Sequence, residues 1–217
     1  MGTSAASSSS NETLRLLGLA RAGDRQALSA LLERHRDRLR RMVELRLDWR
    51  LQGRIDASDV LQDAFLEVAT RLDEYFRGPE LPLFLWLRLA VGQHLARVHR
   101  HHLGTQMRDA GREVSLYRDA LPAASSAALA GRLLGQQTSP SQAAVRAERV
   151  IRLQEALNTL DPVDREALAL RHFEQLTAAE TARVLGISEE AAAKRYIRAL
   201  KRLKQILARM PGGLEGL

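Results

Sequence analysis

The chain has 217 residues, with 33 Lys and Arg against 26 Asp and Glu, and its formal net charge of +7 raises the possibility of a polyanionic partner. It contains no cysteine, which excludes disulfides, thiol catalysis and thiolate metal sites. No apolar run approaches the roughly 20 residues that a membrane span needs, and the Ser/Ala-rich start does not resemble a secretory signal. These features favour a cytoplasmic protein with no membrane span.

The composition predicts an all-α fold. Leu, Ala, Arg and Glu dominate, aromatic residues make up only 4%, and no long stretch alternates apolar and polar residues as a strand would. Residues 1–12 are predicted to be a disordered tail because they are rich in Ser and Ala without apolar periodicity. Residues 211–217 are predicted to be a second tail.

Residues 13–104 are predicted to form the first helical domain. Apolar residues recur there at steps of three and four, and Asp24 and Asp56 precede helical runs as N-caps. The helix over 56–75 carries Asp or Glu at 56, 59, 63, 67, 73 and 74 against one Arg, a balance of −5. A third long helix is predicted over 83–102, after a segment interrupted by Gly and Pro.

Residues 105–139 change in character to Ala, Ser, Gly and Gln with weak periodicity, which predicts a flexible linker. Helix start signals then return over residues 140–210. Each pairs a capping residue with Pro, Gln or Glu in the first turn, and the caps are Ser139, Asp161, Thr177 and Ser188. They predict a second domain of short helices, of which the last is the longest.

The strongest local signal, residues 176–200, reads as helix, tight turn and helix. Gly186 stands where the chain needs a left-handed turn, Ile187 fills the corner, and Ser188 caps the second helix. Residues 177–210 hold eight Lys and Arg against three Glu, with Ile197 among the residues expected to face inward. This pattern is typical of DNA-binding helix–turn–helix motifs, and the alternative is an ordinary hairpin with a solvated basic face.

Taken in order along the chain, these motifs resemble bacterial sigma factors. Residues 157–207 resemble sigma region 4, residues 56–75 resemble the polymerase-binding helix of region 2, and residues 22–28 resemble the opening helix of region 2. Residues 76–87 are similar to the approach to the helix that reads the −10 promoter element. This order, with a variable linker and no third domain, is typical of the extracytoplasmic-function group.

The resemblance implies that residues 13–104 form sigma region 2, which binds core RNA polymerase and the −10 element, and that residues 140–210 form region 4, which binds the −35 element. The implied partners are promoter DNA and the β′ clamp helices and β flap of the polymerase, and a separate anti-sigma factor is left open. The residues implied to contact core polymerase are Asp59, Gln62, Asp63 and Glu67.

The −10 element has to be opened, so its unstacked bases need aromatic platforms and a cationic groove. The candidate −10 contacts are Trp86, Arg88, Gln93, Arg97, Arg100 and His101. Phe84 and Trp86 are also expected to be at least partly in the core. This helix departs from the family pattern, because Leu85 and Gly92 stand where the family usually has Trp and Asn.

The −35 element is implied to be read by the second helix of the helix–turn–helix. Glu accepts a hydrogen bond from cytosine N4, whereas Lys and Arg donate to guanine or to phosphate. The candidate −35 contacts are Arg171, Thr177, Ser188, Glu189, Glu190, Ala191, Lys194, Arg195 and Arg198.

Other function classes are weighed against this interpretation. The chain shows no Gly-rich phosphate loop and no Ser/His/Asp arrangement, so we predict no enzyme and no cofactor. The histidines at 94, 99, 101 and 102 lack the spacing of a zinc site, so no metal is predicted. The main alternative is a stand-alone helix–turn–helix regulator, and an adaptor that does not read DNA is a third possibility. The acidic helix over 56–75 favours the sigma factor, because a repressor has no use for it.

Overall fold

The computed structural model of the protein describes residues 3–78, 80–103, 121–135 and 143–209. Helices and short connections make up these residues, and no β-strand occurs among them. The predicted all-α fold class is therefore confirmed. Within the described ranges, no helix is both long and apolar enough to cross a membrane.

The N-terminal unit (residues 3–103, with residue 79 outside the description) contains α1 (Thr3–Arg21), α2 (Arg25–Arg46), α3 (Ala57–Arg77) and α4 (Leu83–Leu103). The predicted caps begin α2 and α3. The Asp24 carboxylate accepts hydrogen bonds from the backbone N–H groups of Gln26 at 2.8 Å and Ala27 at 3.1 Å. Asp56 accepts one from Ser58 at 2.6 Å. Each cap satisfies first-turn N–H groups that have no partner within the helix.

Helix α1 begins at Thr3, within residues 1–12, the segment for which the sequence predicts a disordered tail. Ala has the highest helix propensity and Ser is only modestly worse, so the Ser/Ala-rich segment extends the helix that follows it. Leu16 and Ala20 are buried and hold that helix against the rest of the unit. The predicted tail at 211–217 and the start signal at 139–142 lie outside the described residues.

The C-terminal unit (residues 143–209) contains α6 (Ala143–Asn158), α7 (Pro162–Leu168), α8 (Ala178–Leu185) and α9 (Glu189–Ala208), with a π-helical turn at Ala169–Phe173. The predicted cap Asp161 accepts a hydrogen bond from the Val163 N–H at 2.9 Å, and Pro162 occupies the first turn. Apolar side chains from α6 and α9 fill the middle of the unit, among them Leu153, Leu157 and Leu203.

A short helix, α5 (Ser126–Leu133), lies inside the segment predicted to be a flexible linker. The Ser125 N–H donates a hydrogen bond to the Leu45 carbonyl at the end of α2, at 2.8 Å. Leu129 and Ala130 are fully buried in a cluster with residues of α2, α6 and α9. This part of the predicted linker is therefore folded against both units.

The two units pack directly against each other. Leu170, Leu176 and Val184 of the C-terminal unit belong to the apolar cluster built by α2, α3 and α4, while Leu45 of α2 belongs to the cluster of the C-terminal unit. Full burial of one such side chain contributes about 1.5–3 kcal/mol. The interface between the units is therefore part of the hydrophobic core.

Gly92 on α4 makes room for the chain that leads into α5. A Cβ at this position would lie 2.2, 2.5 and 2.8 Å from the Cγ, Cδ2 and Cδ1 atoms of Leu121. Carbon atoms normally approach no closer than about 3.5 Å. Gly92, which departs from the family pattern, therefore leaves the space that the Leu121 side chain occupies.

Candidate polymerase and nucleic-acid interfaces

Helices α8 and α9 form the predicted helix–turn–helix. Thr177 and Glu180 cap α8 reciprocally: the Thr177 hydroxyl accepts from the Glu180 N–H at 3.1 Å, and the Glu180 carboxylate accepts from the Thr177 N–H at 2.8 Å. Gly186 ends α8 with φ 65° and ψ 35°, the predicted left-handed conformation. The Ser188 hydroxyl accepts from the Ala191 N–H at 3.2 Å and begins α9.

The first half of α9 presents polar side chains to solvent. Glu189 and Glu190 are exposed, and the side chain of Lys194, 70% exposed, forms an ion pair with Glu190 at 2.6 Å. The Arg198 side chain is 64% exposed. Ile197, expected to face inward, is instead 48% exposed and adds an apolar contact to this surface. Glu189, Glu190, Lys194 and Arg198 are therefore accessible to solvent on this helix.

The arginine candidates for −35 contacts are also engaged within the protein, and Arg198 pairs with Asp164 at 3.5 Å. The Arg195 Nη1 atom lies 2.8 Å from Asp164 Oδ1 and 3.2 Å from Asp161 Oδ1, so this side chain ties α9 to the start of α7. The Arg171 guanidinium donates a hydrogen bond to the Leu176 carbonyl. Arg171 and Arg195 both bind within the C-terminal unit and stabilise the position of the helix–turn–helix. Their contacts with DNA remain predictions.

The acidic face of α3 consists of Asp59, Gln62, Asp63 and Leu66. All four side chains are exposed, and their spacing of three and four residues places them on one side of the helix. Leu66 is 65% exposed. Sequence reasoning did not single it out, because a leucine among acidic residues on a helix cannot be distinguished from a core leucine by its type. This face combines negative charge with an apolar centre.

Glu67, the fourth predicted polymerase contact, connects α3 to α4. Its Oε1 atom lies 2.7 Å from His94 Nδ1, and its Oε2 atom is paired with Arg97. Burial raises the pKa of the Glu67 carboxyl, but the hydrogen bonds from Arg97 and His94 outweigh burial and hold that pKa below its usual value. Glu67 and the candidate −10 contact Arg97 thus neutralise each other across the helix pair.

The remaining polar −10 candidates differ in how accessible they are. Arg100 and His101 are exposed in the last turn of α4. Gln93 is half-buried, and its amide oxygen accepts from the Arg71 guanidinium at 3.4 Å. Arg97 is 44% exposed in its side chain despite its ion pair. The end of α4 therefore carries exposed basic side chains, and their contact with DNA stays a prediction.

The aromatic candidates occupy the start of α4. Phe84 is 5% exposed, and Trp86 is half-buried with its ring centroid 5.1 Å from that of Tyr75. The prediction that both lie at least partly in the core is confirmed. Trp86 is partly accessible, and its role as a platform for an unstacked base stays a prediction.

His99 has a structural role near the end of α4. It is 3% exposed, and its Nε2 atom accepts a hydrogen bond from the Asp48 N–H at 3.2 Å. Burial lowers the pKa of the His99 imidazole, and the Asp48 carboxylate has a smaller opposing effect. The lowered pKa favours the neutral ring, whose Nε2 atom can accept the hydrogen bond. The loop after α2 is thereby held to α4.

Arg88, a candidate −10 contact, lies instead in a buried ion-pair cluster with Arg46, Glu166 and Glu174. It is 3% exposed, and its Nε atom lies 2.7 Å from Glu174 Oε2. Arg46 pairs with the same carboxylate and also with Glu166. Sequence reasoning missed this cluster because Glu174 is 128 residues from Arg46 and 86 from Arg88 along the chain.

The Glu174 carboxyl is completely buried. Burial alone raises its pKa, but the adjacent guanidiniums of Arg46 and Arg88 outweigh burial and hold the pKa below its usual value. Glu174 is therefore ionised at neutral pH. Within this arrangement Arg88 has no surface for DNA, and its predicted contact requires that Glu174 has moved away.

Residues 151–203 match the family described as Sigma-70, region 4. Over 183 residues the chain is 32% identical to the ECF RNA polymerase sigma factor SigD of Mycobacterium tuberculosis (strain ATCC 25618 / H37Rv), a match that covers 84% of this chain and 78% of that protein. The chain belongs to the ECF sigma factors.

Two further comparisons agree. The ECF sigma factor SigM of the same Mycobacterium tuberculosis strain is 30% identical over 203 residues, which cover 92% of this chain and 87% of SigM. The structure of CnrH in complex with the cytosolic domain of CnrY superposes with a TM-score of 0.55 at 21% identity, covering 92% of this chain and 99% of CnrH, and supports the same fold. A stand-alone regulator would share only the helix–turn–helix with this family, so the sigma-factor prediction is favoured over that alternative.

Proposed function

We propose that this ECF sigma factor binds core RNA polymerase through the acidic face of α3 and promoter DNA through α4 and α9, and that it catalyses no reaction itself. The supporting observation is that one chain presents both an exposed acidic face and a capped helix–turn–helix with exposed basic residues. A repressor needs only the second of these surfaces. The chain would act in the bacterial cytoplasm, where the polymerase is.

On the polymerase side, the acidic face suits a basic partner helix such as the β′ clamp helices. Asp59, Gln62 and Asp63 would provide polar contacts around Leu66, which would enter an apolar pocket of the partner. Interfaces of this kind usually depend on a buried apolar anchor surrounded by polar contacts. Glu67 would join the contact at its edge, since its side chain is 40% exposed.

On the −10 side, the exposed end of α4 would follow the phosphates of the opened strand. Arg100 would supply positive charge, Arg97 and His101 would add polar contacts, and Gln93 and Trp86 would contact bases. Arg88 would join them once its ion pairs with the C-terminal unit are broken. Residues 13–104 would thus act as sigma region 2.

On the −35 side, the start of α9 would enter the major groove, with residues 140–210 acting as sigma region 4 and also contacting the β flap. Glu189, Glu190 and Lys194 would reach base edges, and Arg198 would reach phosphate. The remaining candidates Arg171, Thr177, Ser188, Ala191 and Arg195 would contact the backbone or allow close approach. Residues 105–139 would connect the two regions.

An anti-sigma factor is a further proposed partner. CnrH, which shares this fold, is described in complex with the cytosolic domain of CnrY. We propose that this chain is also held inactive by such a protein, which would cover surfaces that polymerase or DNA otherwise occupies.

The first test is complex formation with purified core RNA polymerase, measured by gel filtration. We expect the wild-type chain to co-elute and Asp63→Arg to lose most of the complex, because the substitution reverses a charge in the acidic face. The matched control is Asp37→Arg, the same change at an exposed position of α2. Co-elution of Asp63→Arg at the wild-type level would contradict the proposed polymerase surface.

The DNA surface is tested with a promoter selected by the holoenzyme from a random DNA library. Lys194→Ala should reduce run-off transcription and weaken binding, because one positive side chain at the groove is removed. Lys204→Ala, at an exposed lysine farther along α9, is the control. Equal transcription by the two variants would exclude Lys194 from the −35 contact.

A further inference from the structure

Arg46 and Arg88 share one property that separates them from the other arginines of the N-terminal unit. Both side chains are almost fully buried, at 0% and 4% exposure, although they lie on different helices. Among the described residues, every carboxylate that pairs with them, Glu166 and Glu174, belongs to the C-terminal unit. The N-terminal unit therefore contains a doubly positive recess whose negative charge comes from the other unit.

We propose that Arg46 and Arg88 form an oxyanion site, that Glu174 fills it in the free chain and latches the two units together, and that a phosphate of promoter DNA replaces the Glu174 carboxylate when the chain opens. The replacement of Glu174 by a DNA phosphate rests on the proposed function. The role of Glu174 as a latch between the units in the free chain does not. The chemistry of the site fits either occupant, because guanidinium groups donate paired hydrogen bonds to carboxylates and phosphates alike.

The backbone on either side of Glu174 has an unusual conformation. A π-helical turn, Ala169–Phe173, precedes it, and Gln175 follows it with φ 58°, a left-handed conformation that a non-glycine residue seldom adopts. Such conformations persist where the surrounding contacts hold them. The chain thus leaves regular helix geometry at the point where the carboxylate enters the recess.

Contacts at the rim of the recess hold that backbone in place. Arg38 donates to the Gln175 carbonyl at 3.1 Å and pairs with Glu180 at 3.4 Å, and its guanidinium lies 3.6 Å from the centre of the Phe84 ring. The Arg41 guanidinium donates to the Gln175 side chain at 3.1 Å. Two more arginines of α2 therefore bind the segment that presents Glu174.

Closure has a direct consequence for DNA binding. Arg88 lies on α4, the helix whose other end carries the exposed cationic surface, and it is covered while Glu174 is bound. When the units separate, the two guanidiniums lose both carboxylates and lie side by side without a counter-charge. A phosphate at this position would restore charge balance, so DNA binding and closure compete for the same site.

The latch is tested on the free chain, with neither polymerase nor DNA present. The sequence has no cysteine, so Ser29→Cys on α2 and Lys204→Cys on α9 accept spin labels without background, and electron–electron distance measurements then report the separation of the units. Glu174→Gln keeps the shape of the side chain and removes its charge. Glu155→Gln, at an exposed position of α6, is the matched control.

We expect one short distance population in the wild-type chain and in the control. Glu174→Gln should shift the closed-to-open ratio by at least about tenfold, because a buried ion pair that loses one partner is strongly disfavoured. A helical Glu174→Gln chain that keeps the wild-type distances would overturn the latch. If that variant loses its helical circular dichroism, Arg38→Ala at the rim decides: longer distances support the latch, and unchanged distances refute it.

The oxyanion site is tested by comparing two variants that lack the Glu174 carboxylate, with and without Arg88. Their affinity for a fluorescent single-stranded oligonucleotide of about 12 nucleotides is measured in phosphate-free buffer. Glu174→Gln should bind it several-fold more tightly than wild type, and adding Arg88→Gln should remove that gain and lower the salt slope by about one. The control adds Arg25→Gln, an exposed arginine at the start of α2. Equal losses with Arg88→Gln and Arg25→Gln would show a general charge effect and refute the site, whatever the outcome with polymerase.

Discussion

Replacement of Gly92 by Ala should have opposite effects on stability in two backgrounds. In the wild-type chain the new methyl group would lie 2.2 Å from Leu121 Cγ, so the Leu121 side chain must leave its seat on α4. In a Leu121→Ala chain the colliding atoms are absent. The same substitution then only replaces a helical glycine with alanine.

The expected magnitudes follow from these two effects. Alanine in place of glycine inside a helix contributes about 0.8–1 kcal/mol of stability. Leu121 is half-buried, so displacing it forfeits about 1–2 kcal/mol, below the 1.5–3 kcal/mol of a fully buried leucine. Gly92→Ala should therefore destabilise the wild-type chain by up to about 1 kcal/mol and stabilise the Leu121→Ala chain by about 1 kcal/mol.

Urea unfolding of the four chains of this double-mutant cycle, followed by circular dichroism at 25 °C, measures the coupling. We expect Gly92 and Leu121 to be coupled by about 1–2 kcal/mol, with a change of sign between backgrounds. Additive effects, within about 0.3 kcal/mol, would refute the packing of Leu121 on Gly92.

Two further measurements test the burial of His35 and the left-handed turn at Gly186. Burial, together with Arg38, lowers the pKa of His35 from 6.5 to about 4. The unfolded chain then takes up a proton first, so the free energy of unfolding should fall as the pH drops from 6.5 towards 4, and His35→Gln should flatten this dependence in urea titrations. Gly186→Ala should lower stability by about 1–2 kcal/mol because φ is 65°, whereas Gly186→Asn should cost less; equal thermal melts would contradict the left-handed turn.

The sequence predicts those features that depend on neighbours in the chain. The caps at Asp24, Asp56, Thr177 and Ser188 and the left-handed Gly186 depend on residues a few positions away, and all of them are confirmed. The acidic face of α3 was likewise predictable, because helical periodicity fixes which residues share a side.

The features that sequence reasoning missed depend on partners far along the chain. Arg88 is a basic residue on a helix similar to a DNA-binding one, and nothing near it in sequence indicates that Glu174 will bury it. The apolar residues of α5 were too few to show periodicity, yet Leu129 is fully buried because two units close over it. Local patterns cannot distinguish a free surface from one that another part of the same chain covers.

Three features that the sequence did not predict share one location. α5, the Leu121 seat on Gly92 and the ion pairs of Glu174 all lie between the N-terminal and C-terminal units. In the proposed function the two units contact two separate promoter elements, so the contacts between the units would have to break first. Apolar packing between the units offers nothing that DNA could replace. A carboxylate bound by two arginines, in contrast, can be exchanged for a phosphate. If Glu174 acts as proposed, the buried ion pairs therefore make closure reversible by the DNA that the open chain binds.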